Sequence, residues 1–338
     1  MMRLPWFDHR APRTIEEAAK ILAWEGAGAM LIAGGTDLLP NMKRRHQVPA
    51  TLVSLRRVEE LKKATNGSGM RLGAGLTLTE LCETRGLRDR YRGLWQAAAQ
   101  VATPHLRNMG TLGGNLCLDT RCTYYNQSHE WRKAIDFCMK KDGETCWVAT
   151  ASKRCLAVSS TDTAPALISL GARVRLVSAS GERDLALADL YKNDGMDYLT
   201  RRPDEILTEV MLPAADGWKS AYWKLRRRGS FDFPLLGVAA SVRLSPKGVL
   251  EEARLVLGAV SSHPLAIKTD SLVGKKLTDD VIAEIGEAAG SRAKPMDNTD
   301  MDLRWRKHVV ADFVGYALKE IRGDDMSAAR LKIARQAL

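Results

Sequence analysis

AGGTD, residues 33–37, and LRNMGTLGGN, residues 106–115, are the two stretches whose reading decides the fold of this chain. The first follows Met30-Leu-Ile-Ala33, a short apolar run that predicts a buried strand, and precedes a helical stretch. Paired glycines let the backbone turn tightly, so that successive N–H groups converge on an anion, and a following helix N-terminus adds the positive end of its dipole. Thr36 can add a hydroxyl and Asp37 can cap the helix. Gly110-Thr-Leu-Gly-Gly-Asn115 repeats this chemistry further along. Two such loops, each with Thr and a terminal Asp or Asn, suggest one pyrophosphate held from both sides. Neither is GxGxxG, which argues against a Rossmann site, and no Walker A lysine follows, which argues against an NTPase. A dinucleotide on a different scaffold remains.

Around these loops, Thr14-Ile-Glu-Glu17 predicts a capping box opening an amphipathic helix that ends before Gly26, and Thr51–Leu55 predicts a second strand. A strand is expected over Met70–Ala74, a helix capped by Thr77-Leu-Thr-Glu80, and a longer helix over Leu94–Val101. Ala164–Leu170 predicts a helix with Asp162 or Thr163 as N-cap, flanked by strands at Val174–Ser178 and Glu205–Leu212. From Trp218 the texture changes. Two long strands, Val238–Leu244 and Leu250–Val260, joined by the turn Ser245-Pro-Lys-Gly248, precede helices at Asp279–Ala289 and Leu303–Ile321, as in a separate α+β unit.

Composition narrows the function classes. With 338 residues the chain is expected to hold two or three domains. Its apolar runs are too short to span a bilayer, and MMRLPWFDHRAP lacks a secretory h-region, so a cytoplasmic location is expected. The net charge of +11 is dispersed, densest at Arg201-Arg202 and Arg226-Arg227-Arg228, with no basic stripe interleaved with aromatics; neither nucleic acid nor membrane is an expected partner. His9, His46, His105, His129, His263 and His308 are scattered and form no ligand pair or triad.

The two glycine loops resemble the flavin-binding signatures of the FAD subunits of the xanthine dehydrogenase, or molybdenum hydroxylase, family. Thr161-Asp-Thr-Ala-Pro165, Glu205-Ile-Leu207 with Met211-Leu-Pro213, and Tyr222-Trp-Lys224 with Arg228 and Asp232 resemble further family patterns, so the likeness runs over nearly the whole chain. It implies an α+β protein: a PCMH-type FAD-binding fold of two α/β subdomains, at 1–56 and 57–216, then a C-terminal α+β domain of the CO dehydrogenase flavoprotein type at 217–325 and a helical tail at 326–338. By that resemblance FAD lies extended between the subdomains. Ala33, Gly34, Gly35, Thr36 and Asp37 would hold the pyrophosphate, with Thr111, Gly114 and Asn115 closing over it. Asp162 would accept hydrogen bonds from cofactor hydroxyls, Leu207 would pack near the flavin or adenine, and Lys224 would lie near the cofactor. The plain alternatives are a helix cap for Asp162 and a surface lysine for Lys224. No residue is expected to serve as an acid–base catalyst.

The family pattern is interrupted at one place. Asn115 and Asp162 lie 47 positions apart, where relatives of this kind run directly from one signature to the next. The insert, at about 118–158, holds four of the six cysteines, Cys122, Cys138, Cys146 and Cys155, spaced Cys-x15-Cys-x7-Cys-x8-Cys. Four thiolates can close a zinc site or hold an iron–sulfur cluster, and spacing without a CxxC pair leaves both open, as well as buried unligated thiols. Context favours a cluster, since it gives a flavoprotein a route for single electrons.

The insert resembles that of the β subunits of 4-hydroxybenzoyl-CoA reductases. This implies a 4Fe–4S cluster on the four cysteines, with Cys117 a non-ligand and Cys82 a core residue. Tyr124, Tyr125, Trp131, Phe137 and Trp147 are expected to wrap it, and Lys133, Lys140, Lys141, Lys153 and Arg154 to leave a basic outer face for an acidic ferredoxin. The resemblance implies a heterotrimer, itself dimerised, with a 2Fe–2S small subunit and a molybdenum-cofactor large subunit. Electrons would pass from reduced ferredoxin through the cluster and FAD to the reductive dehydroxylation of 4-hydroxybenzoyl-CoA. The alternatives are an FAD subunit of a substrate-oxidising molybdenum hydroxylase and a zinc-stapled flavin-binding protein.

Overall fold

Three β-sheets, taken in chain order, organise the protein; the structure, a computed structural model, describes residues 3–334. The first is parallel, with strands β1 (Asp8–Arg10), β2 (Ala29–Ile32) and β3 (Thr51–Ser54) in the order β1-β3-β2. The helix Ile15–Glu25 buries Ala18, Ala19 and Leu22 against Val53 and against Ile206 of the next unit. That core is small, so this unit leans on its neighbour. Thr14 caps the helix by accepting the Glu17 N–H at 3.1 Å, but the expected box is only half made. The Glu17 carboxylate accepts the Arg13 N–H instead, at 2.8 Å.

The second sheet is antiparallel, with β4 (Ala64–Asn66), β5 (Met70–Gly73), β6 (Arg173–Ser178), β7 (Gly181–Ala186) and β8 (Ile206–Leu212) in the order β4-β5-β8-β6-β7. Leu72, Val174, Leu176 and Val210 pack with Leu78, Leu81, Leu94 and Leu167 from the helices Leu78–Glu83, Arg92–Ala99 and Thr163–Ser169. Here the Thr77–Glu80 capping box is complete.

The third sheet carries a correction. The two strands expected are the middle of an antiparallel four: β9 (Trp218–Leu225), β10 (Leu236–Leu244), β11 (Leu250–Gly258) and β12 (Leu265–Ile267), ordered β12-β11-β10-β9. Lys219, Ser220 and Lys224 interrupt the apolar run of β9, and β12 is only three residues long, so neither carries a strong period-two pattern. Trp223, Val238, Leu255 and Leu257 bury against Ile282, Phe313, Val314 and Leu318. The last three lie on Val310–Arg322, which Val309 separates from Leu303–His308 where one helix was expected. Of the expected tail, Ser327–Ala329 and Arg330–Ala334 are helical, and 335–338 lie outside the described residues. No described helix is long and apolar enough to cross a membrane.

The insert leaves and rejoins this frame at one neck. Arg121 and Val158 form an isolated bridge, each donating its N–H to the other's carbonyl at 2.8 and 2.7 Å. Just outside it, the Asn115 side-chain oxygen accepts hydrogen bonds from the Thr161 hydroxyl (2.8 Å), the Thr163 N–H (3.2 Å) and the Thr163 hydroxyl (2.7 Å).

Candidate functional site

A cleft of about 820 Å³ opens where the C-terminal end of β2 meets the second unit, the usual place for a ligand beside parallel strands. Ala33, Gly34, Gly35, Thr36 and Asp37 all line it, as do Gly110, Thr111, Gly114, Asn115, Asp162 and Leu207. Among the described residues the N–H groups of Gly34, Gly35, Thr36 and Asp37 have no protein acceptor, so four donors are left for an anion. Gly35 sits at φ 71°, a left-handed conformation that glycine adopts without cost. At Gly34 the need is for space: a Cβ there would stand 1.9 Å from the Met109 carbonyl oxygen and 2.5 Å from its carbon. The two glycine loops therefore touch backbone to backbone. Opposite, the Thr111 hydroxyl accepts the Gly114 N–H at 3.1 Å and so fixes the short helix Leu112–Leu116. This arrangement fits a dinucleotide pyrophosphate.

Three expected roles are corrected. Asp37 makes no helix cap. Its carboxylate instead ion-pairs with Arg121, because a guanidinium is the stronger donor, and Asn41 also donates to it. Asp162 makes no cap either; the Thr161 hydroxyl takes the Ala164 N–H. The Asp162 oxygens accept from the Tyr222 hydroxyl at 2.8 Å and the Lys224 ammonium at 2.9 Å, and the residue lines the cleft. Lys224 is no surface lysine: it is fully buried, donates also to the Gln100 carbonyl at 3.1 Å, and reaches the cleft only through Asp162. Burial pushes the Asp162 carboxyl up and the Lys224 ammonium down, and each partner's charge opposes the other's shift.

The four insert cysteines fold into the same segment, and three of them share one apolar cluster. All are buried, none is in a disulfide, and Cys122, Cys138 and Cys155 pack with Tyr125 and Ala157 in one apolar cluster. Cys146 is buried but lies outside that cluster. Burial pushes the Cys122 thiol up to about 12 and Cys155 to about 11; backbone N–H groups of Tyr124 and Tyr125 oppose this at Cys122, and that of Ala157, 3.4 Å from the sulfur, does so at Cys155. Around Cys138, Asp136, Phe137 and Asp142 adopt positive φ of 60°, 58° and 67°, a local strain of roughly 1–3 kcal/mol each. Among the described residues, no group of three or more His, Cys, Asp or Glu is set to hold a single metal ion. Cys117 lies apart, in the cleft wall.

The aromatic and basic shell is only partly as expected. Tyr125 is buried in the nest and Tyr124 packs against it, but Trp131 and Trp147 are exposed on the outside, the latter donating to the Phe137 carbonyl. Lys133, Lys153 and Arg154 are exposed. Lys140 is not: its side chain is 6% exposed and its ammonium donates to Asp119 (2.8 Å), the Thr120 hydroxyl (2.7 Å) and the Gly195 carbonyl (2.6 Å).

Sequence reasoning missed Arg121, Asp119 and His46. Arg121, whose proximity to Cys122 was the one available signal, is buried in the cleft wall and is pushed down to about 10 by that burial. His46 is buried and stacked on Tyr125 at 3.9 Å, and neither ring nitrogen has a hydrogen-bond partner among the described residues. Burial, helped by Arg132, lowers it from 6.5 to about 4. Between these values the unfolded chain binds a proton that the folded chain does not. Stability is therefore complete above pH 6.5 and falls as the pH drops towards 4, by an amount on the order of 3 kcal/mol. Chemical denaturation across this range should show the loss, and His46→Phe should flatten it; an unchanged acid slope in H46F would refute the assignment.

Comparison with known proteins places these features. Residues 6–215 match the family described as FAD binding domain in molybdopterin dehydrogenase, and residues 220–321 match the CO dehydrogenase flavoprotein C-terminal domain. The chain is 33% identical over 272 residues to the aldehyde oxidoreductase FAD-binding subunit PaoB of Escherichia coli K12, covering 78% of this chain and 84% of that one. It is 29% identical over 278 residues to the nicotinate dehydrogenase FAD-subunit of Eubacterium barkeri, covering 80% and 81%. Among solved structures, carbon monoxide dehydrogenase from Hydrogenophaga pseudoflava superposes with a TM-score of 0.76 at 25% identity, covering 94% of this chain and 98% of that chain.

Proposed function

The chain belongs to the FAD-binding subunits of the molybdenum hydroxylase family, and from that premise we propose that it carries electrons between a 4Fe–4S cluster in its insert and a molybdenum subunit, by way of FAD. The observation that carries this reading is the set of four buried thiols in the insert, three of them packed in one apolar cluster beside Asp119 and Arg121 of the cleft wall. A cluster supplies one-electron transfer, and FAD takes electrons singly or in pairs. Each thiolate of such a cluster meets a different iron, and three of the four thiols already share one apolar cluster. The Ala157 N–H directed at the Cys155 sulfur is a contact that stabilises such a sulfur.

On this reading the complex resembles 4-hydroxybenzoyl-CoA reductase. Reduced ferredoxin would dock against the exposed Lys133, Lys153 and Arg154, and the partners would be a 2Fe–2S small subunit and a molybdenum large subunit. There two electrons and two protons would convert 4-hydroxybenzoyl-CoA into benzoyl-CoA and water. This chain holds and aligns cofactors; the thioester would bind elsewhere.

The names of the relatives favour a second reading, in which the same FAD site passes electrons outward from a substrate-oxidising partner. Reduction of the intact complex by reduced ferredoxin, with none by an oxidisable substrate, separates the two. For the insert, anaerobically purified protein should contain about four irons with matching acid-labile sulfide per chain and give a cluster EPR signal on reduction. One zinc without iron, or flavin absorbance with no cluster signal, would refute the cluster.

A further inference from the structure

Resting on the cluster reading above, we propose that the buried Lys140–Asp119 pair sets the reduction potential of the group held by the cysteine nest. Lys140 lies two positions after Cys138, yet its side chain turns inward. The ammonium stands over the ring of Tyr125 at 4.8 Å and that of Tyr198 at 5.2 Å. Tyr125 packs on Cys122, Cys138 and Cys155, whereas Tyr198 and Asp119 line the flavin cleft. The Gly195 carbonyl that accepts from Lys140 belongs to a residue whose N–H donates to the Cys155 carbonyl at 2.9 Å. The pair thus occupies the wall shared by nest and cleft.

Reduction of the nest's group adds one electron from the one-electron donor named above, with no bond formed or broken. The fixed positive charge of Lys140 stabilises the added negative charge, and the carboxylate of Asp119 opposes it. Both side chains are buried, so the interaction is strong and little screened by salt. Removing the two charges must therefore move the midpoint in opposite directions. A purely structural role predicts no such opposition. Lys140 is on this account a positioning and electrostatic residue, not a catalytic one.

The test is an EPR-monitored redox titration, with iron and flavin counts, of the full chain and of Lys140→Met, Lys140→Arg and Asp119→Asn. The expected result is a lowered midpoint in K140M, a raised one in D119N and one close to the parent in K140R, with FAD retained. Midpoints that stay put, or move the same way in K140M and D119N while iron is retained, overturn the proposal and leave the cluster reading standing. Should K140M lose its iron, D119N decides alone, and an unchanged or lowered midpoint there overturns it. Parent protein without iron overturns the cluster reading, and this proposal with it.

Discussion

Replacing Gly34 with Ala is expected to give a protein that purifies without flavin. The added methyl would lie 1.9 Å from the Met109 carbonyl oxygen and 2.9 Å from the Gly110 nitrogen. All of these neighbours are backbone, so no side chain can swing aside to make room. The two glycine loops must separate, and the four unpaired N–H groups at Gly34–Asp37 lose their common focus. We expect a loss of FAD affinity of at least about 100-fold, or ~2.7 kcal/mol. It would be read from the ratio of flavin to protein absorbance and from fluorescence titration of the stripped protein. The control is Gly67→Ala, on an open turn where a Cβ meets nothing within 4 Å. Flavin content equal to the parent's in G34A would show that the loops do not need their close approach.

The second large effect is expected at Lys224. The change Lys224→Met keeps much of the side-chain volume but strands the Asp162 carboxylate, which is 2% exposed and would retain only the Tyr222 hydroxyl as donor. Breaking a buried pair from one side typically costs about 3–5 kcal/mol. The double change Asp162→Asn with Lys224→Met removes both charges and should recover a large part of that loss. Thermal and denaturant unfolding of the single and double variants would measure it. If K224M alone were as stable as the parent, or the double change recovered nothing, the Asp162–Lys224 pair would not hold the fold together. Because Asp162 lines the flavin cleft, K224M should also weaken FAD binding, and the double variant shows how much of that is charge.

These two residues mark the boundary of what the primary structure reveals. The glycine loops were legible because their demands are local: a left-handed φ at Gly35 and missing side-chain volume at Gly34 are written in the residue itself. The Thr77–Glu80 box was legible for the same reason, since its partners are three positions apart. Asp162 and Lys224 were legible as candidates but not as partners, because they meet across 62 positions, once the helix Thr163–Ser169 packs on the third sheet. Asp37 and Arg121 likewise meet only once the insert has folded.

Lys140 was the clearest misreading. A lysine in a basic, aromatic loop reads as solvated, and only the left-handed turns at Asp136, Phe137 and Asp142 turn the segment around Cys138 and carry it inward. Nothing in the residue types announces three positive φ values outside glycine. In the third sheet, β9 was hidden by its own chemistry, since its buried lysine breaks the apolar run it belongs to. The cysteine nest lies between these cases. Three of its four members, Cys122, Cys138 and Cys155, pack together in a segment that leaves the host at the neck of Arg121 and Val158.

That neck has an evolutionary consequence. A segment that departs and returns through two facing hydrogen bonds adds little strain to its host, because the host's own ends stay where they were. The Asn115 amide stitches Thr161 and Thr163 on the host side of the junction. A lineage could therefore acquire such a segment, or shed it, at one junction, replacing only host contacts such as Lys140 to Gly195 and Arg121 to Asp37. The insert, with whatever group its cysteines hold, would then be an accessory, and its presence or absence a matter of ancestry at one splice point rather than of a different fold.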